Sequence, residues 1–180
     1  MLKEDERIVI PKIFWEYTTN KILVMSFEEG RPITNMKHIR ENKISIKTIA
    51  EILCDVFNRQ IFEFGLVHSD PHPGNLFVRK EKVNGKEMTR LVLLDHGLYR
   101  DFDNDFRYNY AGLWRGIITQ NIPLIKKSCE KLGVTKVELF MSILTSNTYD
   151  EMMDKENKYS TNRRLGVKSM LPKMLLIILF

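Results

Sequence analysis

The stretch FGLVHSDPHPGNLFV, residues 64–78, constrains the fold of this chain more than any other segment. Pro71 and Pro73 exclude a helix interior or a central strand here, because proline has no N–H to donate and clashes with the preceding turn. Apolar residues flank the stretch on both sides. The sequence therefore predicts a loop that carries Asp70 and Asn75 between two buried elements.

The segments on either side of this loop have clear periods. Apolar residues at three-and-four spacing predict a helix over residues 45–64, which Gly65 ends. The runs NLFVRK and RLVLLD predict a β-hairpin whose turn is Asn84-Gly85. After DHGLYRDF the pattern predicts three further helices, over residues 106–117, from Pro123 to Gly133, and after a capping box of Thr135 and Glu138.

The two ends of the chain differ in character. Two β-rich runs in RIVIPKIFWEYTTNKILVMSF predict a hairpin around TTN. The polar segment 149–164 predicts a mobile connection. The eleven residues MLPKMLLIILF at the end are too few to span a bilayer, so they favour a core helix cut off by the chain end over the alternative of a membrane anchor. The order of elements indicates an α+β domain with small sheets and a mainly helical body.

Composition excludes several classes of protein. With 43% hydrophobic and 28% charged residues in a chain of 180, the sequence is that of one soluble globular domain. The net charge of +5 is spread along the whole chain without a basic block among aromatics, which indicates a solvated surface and no nucleic-acid partner. Cys54 and Cys129 each fall in a predicted helix, so they do not form a disulfide framework. The N-terminus has the features of neither a secretion signal nor a transit peptide.

Three oxygen-bearing side chains lie at the ends of predicted elements. Asp70 and Asn75 share the loop, and Asp95 follows the apolar strand LVLL. A hairpin can bring the two loops together, which leaves one carboxylate free to orient a hydroxyl and offers an amide and a second carboxylate as hard ligands. Such oxygens suit Mg²⁺ beside substrate phosphates.

The spacing matches the catalytic loop of kinase-type phosphoryl transfer, H-R-D-L-x-x-x-N followed by D-F-G. His68 falls on the histidine and Asp70 on the catalytic aspartate. His72 stands where protein kinases usually have lysine, and Asn75 falls on the metal-binding asparagine. Residues 95–97, DHG, stand where D-F-G would be. This register assigns Asp70 and His72 to catalysis and Asn75 and Asp95 to a metal ion.

Upstream, ILVMSFEEGRPI has the form of the strand and hinge that join the two lobes of a kinase. The backbone of Ser26, Phe27 and Glu28 would read the adenine edge, and Met25 would line the back of the pocket. These four residues are the candidate nucleotide-binding residues.

The motifs QIFEFGLVHSDPHPGNLFV and LVLLDHGLYRDF closely resemble those of the UbiB or aarF-domain atypical kinases, especially the eukaryotic branch with DHGLY in place of DFG. The resemblance runs from about Ile8 to the C-terminus. It implies an α+β, protein-kinase-like fold with a short N-terminal β-hairpin, a hinge and a mainly helical C-lobe. Residues 1–27 would be the end of the N-lobe, 28–35 the hinge and 36–180 a truncated C-lobe, with the N-lobe largely missing.

The resemblance also implies ATP and Mg²⁺ as cofactors and a link to ubiquinone or mitochondrial lipid metabolism. Mitochondrial localisation, lipid or quinone-pathway proteins as partners and a peripheral association with membranes would follow. The family's K-x-G-Q motif, Ala-rich loop and phosphate-contacting lysine do not occur in these 180 residues. We therefore expect turnover by this chain to be absent or very slow.

Other functions compete with this hypothesis. A pseudokinase-like binding or scaffold module would need no turnover. A phosphotransferase of the aminoglycoside or choline kinase type uses a loop resembling HSDPHPGN, but there an aromatic and an acid usually follow the metal aspartate. His68 and His72 could instead bind zinc, although the prolines disfavour the alternating strand that this needs. Asp70, Asn75 and Asp95 could also be turn and capping residues. Even if the site is real, we expect His68 to be a structural residue that packs against the Asp95 loop, in preference to a proton-transfer role.

Overall fold

The computed structural model describes residues 5–145, which form two compact units. Within this range, residues 5–56 and 68–99 make up the first unit and residues 57–67 and 100–145 make up the second. Both helices and strands are present, which is compatible with the predicted α+β class. No helix within residues 5–145 has the length and apolar character needed to cross a membrane.

Six strands and five α-helices make up the described part of the chain. The strands are β1 (Ile8–Val9), β2 (Arg31–Pro32), β3 (Leu66–His68), β4 (Leu76–Val83), β5 (Lys86–Leu93) and β6 (Tyr99–Asp101). The helices are α1 (Met36–Glu41), α2 (Ile46–Asn58), α3 (Asn104–Ile118), α4 (Ile122–Lys131) and α5 (Val137–Thr145). One sheet has the strand order β1-β5-β4-β2, and β3 pairs with β6 in a second sheet.

The β4–β5 hairpin is the longest ladder in the first unit. Leu76 pairs with Leu93 at its open end and Val83 with Lys86 at its turn. Asn84 and Gly85 both have positive φ angles, of 51° and 80°, which a two-residue hairpin turn of this twist requires. The predicted hairpin and its turn are therefore confirmed.

The N-terminal hairpin is smaller than the sequence predicts. Ile13 and Met25 form a single antiparallel bridge, and the Phe14 N–H donates to the Val24 carbonyl. The β1 residues leave this hairpin and pair in parallel with β5. Burial explains the difference, because Ile8 and Val9 become less than 9% exposed there, whereas an isolated two-stranded ribbon would leave them in water.

The helix predicted before the loop is confirmed. Helix α2 continues into a wider turn over Arg59–Phe64, and Gly65 ends it with a φ of 70°. In the first unit, apolar side chains of α1, α2 and the sheet form one cluster, whose buried members are Ile39, Ile44, Ile49 and Val78. This cluster supports the sheet that carries the loop.

The helices of the second unit pack around their own core. Asp103 caps α3 by accepting a hydrogen bond from the Phe106 N–H at 2.7 Å. Pro123 lies in the first turn of α4, as predicted. The core residues that are at most 3% exposed are Ile61, Val67, Leu113, Ile117, Ile125, Cys129, Met141 and Leu144. Helix α5 begins at Val137, which is two residues beyond the predicted cap at Thr135.

Both cysteines are buried and free, as predicted. Burial raises the pKa of the Cys129 thiol, and burial together with the nearby charge of Asp55 raises that of Cys54. Neither thiol has the lowered pKa of a reactive cysteine. The predicted mobile connection over residues 149–164 and the predicted C-terminal helix lie outside the described residues.

Candidate functional site

The open end of the β4–β5 hairpin brings Asn75 and Asp95 together. Asn75 immediately precedes β4, and Asp95 lies two residues beyond the end of β5. Because the first residue of β4 pairs with the last of β5, the two flanking segments lie side by side. The Leu94 N–H extends the ladder by donating to the Asn75 carbonyl at 2.8 Å. The Asn75 Nδ2 atom is 3.3 Å from Asp95 Oδ2.

Asp95 has a constrained backbone. Its φ of 51° lies in the left-handed region, which aspartate tolerates better than most residues. Its Oδ1 atom accepts a hydrogen bond from the Gly97 N–H at 3.1 Å, while Oδ2 faces the Asn75 amide. Both carboxylate oxygens therefore have defined directions although the residue is exposed.

The chemistry of this pair fits a magnesium ion. Asp95 offers a charged oxygen, and a half-turn of the Asn75 amide would present its oxygen in place of Nδ2. Mg²⁺ binds through one or two protein oxygens and keeps several waters beside substrate phosphates, so two oxygen donors at an exposed edge are sufficient. Asn75 and Asp95 would hold this ion through their side-chain oxygens.

Asp70 lies on the same loop with its side chain exposed. Within residues 5–145 its carboxylate accepts no hydrogen bond, whereas its carbonyl accepts one from the His72 N–H at 2.8 Å. His72 caps the turn Pro73–Asn75, because its Nδ1 atom accepts a hydrogen bond from the Gly74 N–H at 3.0 Å. Within residues 5–145 the Asp70 carboxylate is therefore exposed and accepts no hydrogen bond, whereas His72 has a capping contact.

His68 links the two loops of the site. It is 3% exposed, and its Nδ1 atom accepts a hydrogen bond from the Asp70 N–H at 3.1 Å. Nδ1 must then be unprotonated, so Nε2 carries the hydrogen and donates it to the Asp95 carbonyl at 2.8 Å. The predicted packing of His68 against the Asp95 loop is confirmed.

We expect His68→Phe to lower the free energy of unfolding by about 1–3 kcal/mol. The ring volume is largely kept, but the Asp70 N–H and the Asp95 carbonyl both lose a partner. Urea unfolding followed by circular dichroism measures the change. The control is His72→Phe, because this exposed histidine loses one described side-chain contact, with the Gly74 N–H, where His68 loses two. Equal stabilities of the two variants would contradict the linking role of His68.

Two further aromatic residues brace the Asp95 loop. His96 Nε2 donates to the Leu93 carbonyl at 3.0 Å, and its Nδ1 accepts from the Tyr99 hydroxyl at 2.7 Å. Burial lowers the pKa of His96 and raises that of Tyr99, so both are held in their neutral forms. The ring centroids of His68 and Tyr99 are 5.2 Å apart. This bracing role was not predicted from the sequence, where its signal is the three-residue spacing of His96 and Tyr99.

The four candidate nucleotide-binding residues lie along one irregular segment of the first unit. Met25 is 45% exposed and forms the bridge to Ile13, and the Ser26 N–H donates to the Lys12 carbonyl. Phe27 is 90% exposed. Within the described residues, the backbone groups of Phe27 and Glu28 form no hydrogen bond.

A cleft of about 950 Å³ opens beside this segment. Its lining consists of residues 27–31 and 79–81 together with His38 and Asn42. Asp70, Asn75 and Asp95 do not line it. The cleft thus lies beside the candidate hinge and away from the candidate metal ligands.

A zinc site is not supported. No group of three or more His, Cys, Asp or Glu residues within residues 5–145 is arranged to hold a metal ion. His68 has both ring nitrogens bonded to backbone groups of the two loops. The alternating zinc cluster considered from the sequence is therefore wrong for the described residues.

An amide and a carboxylate at the end of a hairpin, with a second exposed carboxylate on the adjoining loop, are the residue types found in the metal-binding and catalytic loops of protein kinases. A family model described as the ABC1 atypical kinase-like domain matches residues 1–129. This chain belongs to that family.

Curated relatives agree with this assignment. AarF domain-containing kinase 1 of Drosophila melanogaster is 38% identical over 146 residues, which cover 80% of this chain and 28% of the relative. AarF domain-containing protein kinase 1 of Mus musculus is 35% identical over 84% of this chain and 29% of its own length. The probable serine/threonine-protein kinase abkB of Dictyostelium discoideum is 34% identical over 97% of this chain and 27% of its own length. The chain spans less than a third of the length of these relatives.

Proposed function

We propose that this chain carries the metal-binding and catalytic loops of an atypical kinase or ATPase that uses Mg-ATP. The observation that supports the proposal most is the Asn75–Asp95 pair, held at the open end of one hairpin by a continuous ladder. In a kinase-like domain such a pair is the natural place for the ion that neutralises the phosphates. Residues 1–27, 28–35 and 36–180 would then be the end of the N-lobe, the hinge and the C-lobe.

Asp70 would act on the attacking group. Its exposed carboxylate, free of hydrogen bonds within residues 5–145, would accept the proton of a hydroxyl group or a water molecule. The oxygen that loses this proton forms a bond to the γ-phosphorus, and the bond from that phosphorus to the bridging oxygen of ADP breaks. His68 keeps the Asp70 backbone in place through its N–H.

The base of the nucleotide would be read by the backbone of residues 26–28, with Met25 nearby. Because the Ser26 N–H already donates to the Lys12 carbonyl, Phe27 and Glu28 supply the available backbone groups. Mg²⁺, when bound, supplies charge neutralisation for the phosphates. Asn75 and Asp95 would hold it through their side-chain oxygens.

A thermal-shift titration with ATP, with and without Mg²⁺, tests this proposal. A ligand that binds only the folded state adds about 2.7 kcal/mol to its stability at 100 times its Kd. For a chain of this size, each kcal/mol corresponds to roughly 2–4 °C in Tm. We expect a shift that requires both ATP and Mg²⁺, and a Tm that neither changes would contradict the proposal.

A binding module without turnover is the second candidate. It is favoured because, within residues 5–145, neither Asn75 nor Asp95 has a lysine or arginine among its hydrogen-bond partners, whereas phosphoryl transfer relies on charge neutralisation from several sides. We expect the 180-residue chain to release phosphate from ATP at or near the background rate. Release above background that Asp70→Ala abolishes would contradict this expectation and assign catalysis to the chain itself.

The cellular role that we propose follows from the family. The parent activity would belong to ubiquinone or lipid metabolism in mitochondria, with lipids or quinone-pathway proteins as partners. Imaging of a tagged chain together with a mitochondrial marker tests the location. A distribution that excludes mitochondria would contradict it.

A further inference from the structure

Arg79 connects strand β4 to the irregular segment that holds the candidate nucleotide-binding residues. Its Nη1 atom donates to Glu28 Oε2 at 2.9 Å and to the Glu29 carbonyl at 3.1 Å. Its Nε atom donates to Glu81 on the same strand. The side chains of Arg79 and Glu28 are only 18% and 16% exposed, so water and salt screen this ion pair less than a surface pair.

Glu28 is held from both sides. Its second oxygen, Oε1, accepts a hydrogen bond from the Ser26 hydroxyl at 2.8 Å. The same hydroxyl oxygen accepts one from the Lys12 N–H at 2.9 Å. A chain of hydrogen bonds therefore runs from Lys12 through Ser26 and Glu28 to Arg79.

Two members of this network, Arg79 and Glu81, have shifted pKa values. Burial opposes the charge of Arg79, but Glu28 and Glu81 outweigh burial and raise its pKa. Burial likewise opposes the charge of Glu81, but Arg90 and Arg79 lower its pKa. Arg79 and Glu81 are therefore both charged around neutral pH.

The segment needs an anchor of this kind because it has little regular structure of its own. It lies between the isolated bridge at Met25 and strand β2, and the backbone of Phe27 and Glu28 forms no hydrogen bond within residues 5–145. Gly30 has a φ of 149°, which few other residues adopt. An unanchored segment would sample many conformations, and a ligand would have to order it on binding.

We infer that Arg79 is a positioning residue that holds the backbone of Phe27 and Glu28 in the conformation that reads the base of the nucleotide. The inference rests on the proposed function. It gives the Glu28 side chain a role that the sequence analysis did not assign, as the carboxylate through which Arg79 acts. In this arrangement Arg79 would act through the Glu28 carboxylate and the Glu29 carbonyl.

Arg90 provides a matched control. It pairs directly with Arg79 across the ladder, its side chain is 21% exposed, and it also binds Glu81. Its other described contact is with the Ile8 carbonyl, at 3.5 Å. A purely structural role of the arginine network would make Arg79→Gln and Arg90→Gln equivalent.

The test compares two ligands that differ in whether they carry a base. Isothermal titration calorimetry would measure the Kd of ATP and of inorganic tripolyphosphate, both with Mg²⁺, for the wild-type chain and the two variants. We expect Arg79→Gln to weaken ATP binding by at least about tenfold, the effect of losing one charge-assisted contact, and tripolyphosphate binding by less than twofold. Arg90→Gln should leave both affinities within twofold of the wild type.

Each outcome decides the inference. Three results would overturn the inference without contradicting the proposed metal site. They are unchanged ATP affinity in Arg79→Gln, equal weakening of ATP and tripolyphosphate binding, and equal effects of the two variants. A wild-type chain that binds neither ligand would overturn the proposed function and this inference together. If Arg79→Gln does not fold, Glu28→Gln weakens the same ion pair, and a loss restricted to ATP is again the supporting result.

Discussion

Replacing Asp95 with asparagine is expected to weaken Mg-dependent ATP binding by at least about 100-fold. Loss of a residue that merely orients a metal ligand commonly costs 10–100-fold in metal affinity, so loss of the charged ligand itself should cost more. The substitution keeps the shape of the side chain and an oxygen that can accept from the Gly97 N–H. The fold should therefore survive, and calorimetry with ATP and Mg²⁺ measures the change.

The control is Asp101→Asn, which removes an equal charge from an exposed position on β6. This control distinguishes the loss of a metal-binding carboxylate from the effect of changing the net charge. We expect this control to bind Mg-ATP like the wild type. An Asp95→Asn variant with wild-type affinity would exclude Asp95 as a metal ligand.

Gly65→Ala is expected to lower the free energy of unfolding by about 2–5 kcal/mol. The φ of 70° is strained for any residue with a Cβ atom, which costs about 1–2 kcal/mol. The added Cβ would also lie 2.7 Å from the Phe102 carbonyl oxygen. That backbone cannot move away easily, because the Phe102 N–H donates to the Gly65 carbonyl. Relief of such crowding costs a further 1–3 kcal/mol.

Gly133→Ala isolates the steric part of this effect. Gly133 also has a positive φ, of 73°, but a Cβ atom there would meet nothing within 4 Å. Gly133→Ala should therefore lower the free energy of unfolding by about 1–2 kcal/mol. Urea unfolding of the two variants gives the difference between their free energies of unfolding. Equal values would show that crowding against the Phe102 carbonyl does not contribute to the loss of stability.

The sequence was most informative where a local signal determines the structure. The prolines of the loop, the Asn84-Gly85 turn and the apolar period of α2 each act through the conformations of a few adjacent residues. Because the hairpin was correct, the proximity of Asn75 and Asp95 followed from it. These features make up most of the candidate site.

Other features depend on partners that are distant in the chain. The parallel pairing of β1 with β5 joins residues more than 80 positions apart, and no local pattern distinguishes it from a hairpin. The contact between Arg79 and Glu28 spans 51 positions. In the sequence, Arg79 and Glu28 look like ordinary surface charges. They become a partly buried ion pair because the sheet folds.

The β4–β5 ladder has a consequence for the size of the ligand. The candidate metal ligands lie at its open end, and Arg79, which anchors the segment proposed to read the base, lies four residues along the same strand, roughly 13 Å away. The backbone hydrogen bonds of the hairpin keep this distance fixed. Among adenine nucleotides, discrimination between a triphosphate and a monophosphate would then be a property of the backbone ladder, and substitutions of single side chains would leave it in place.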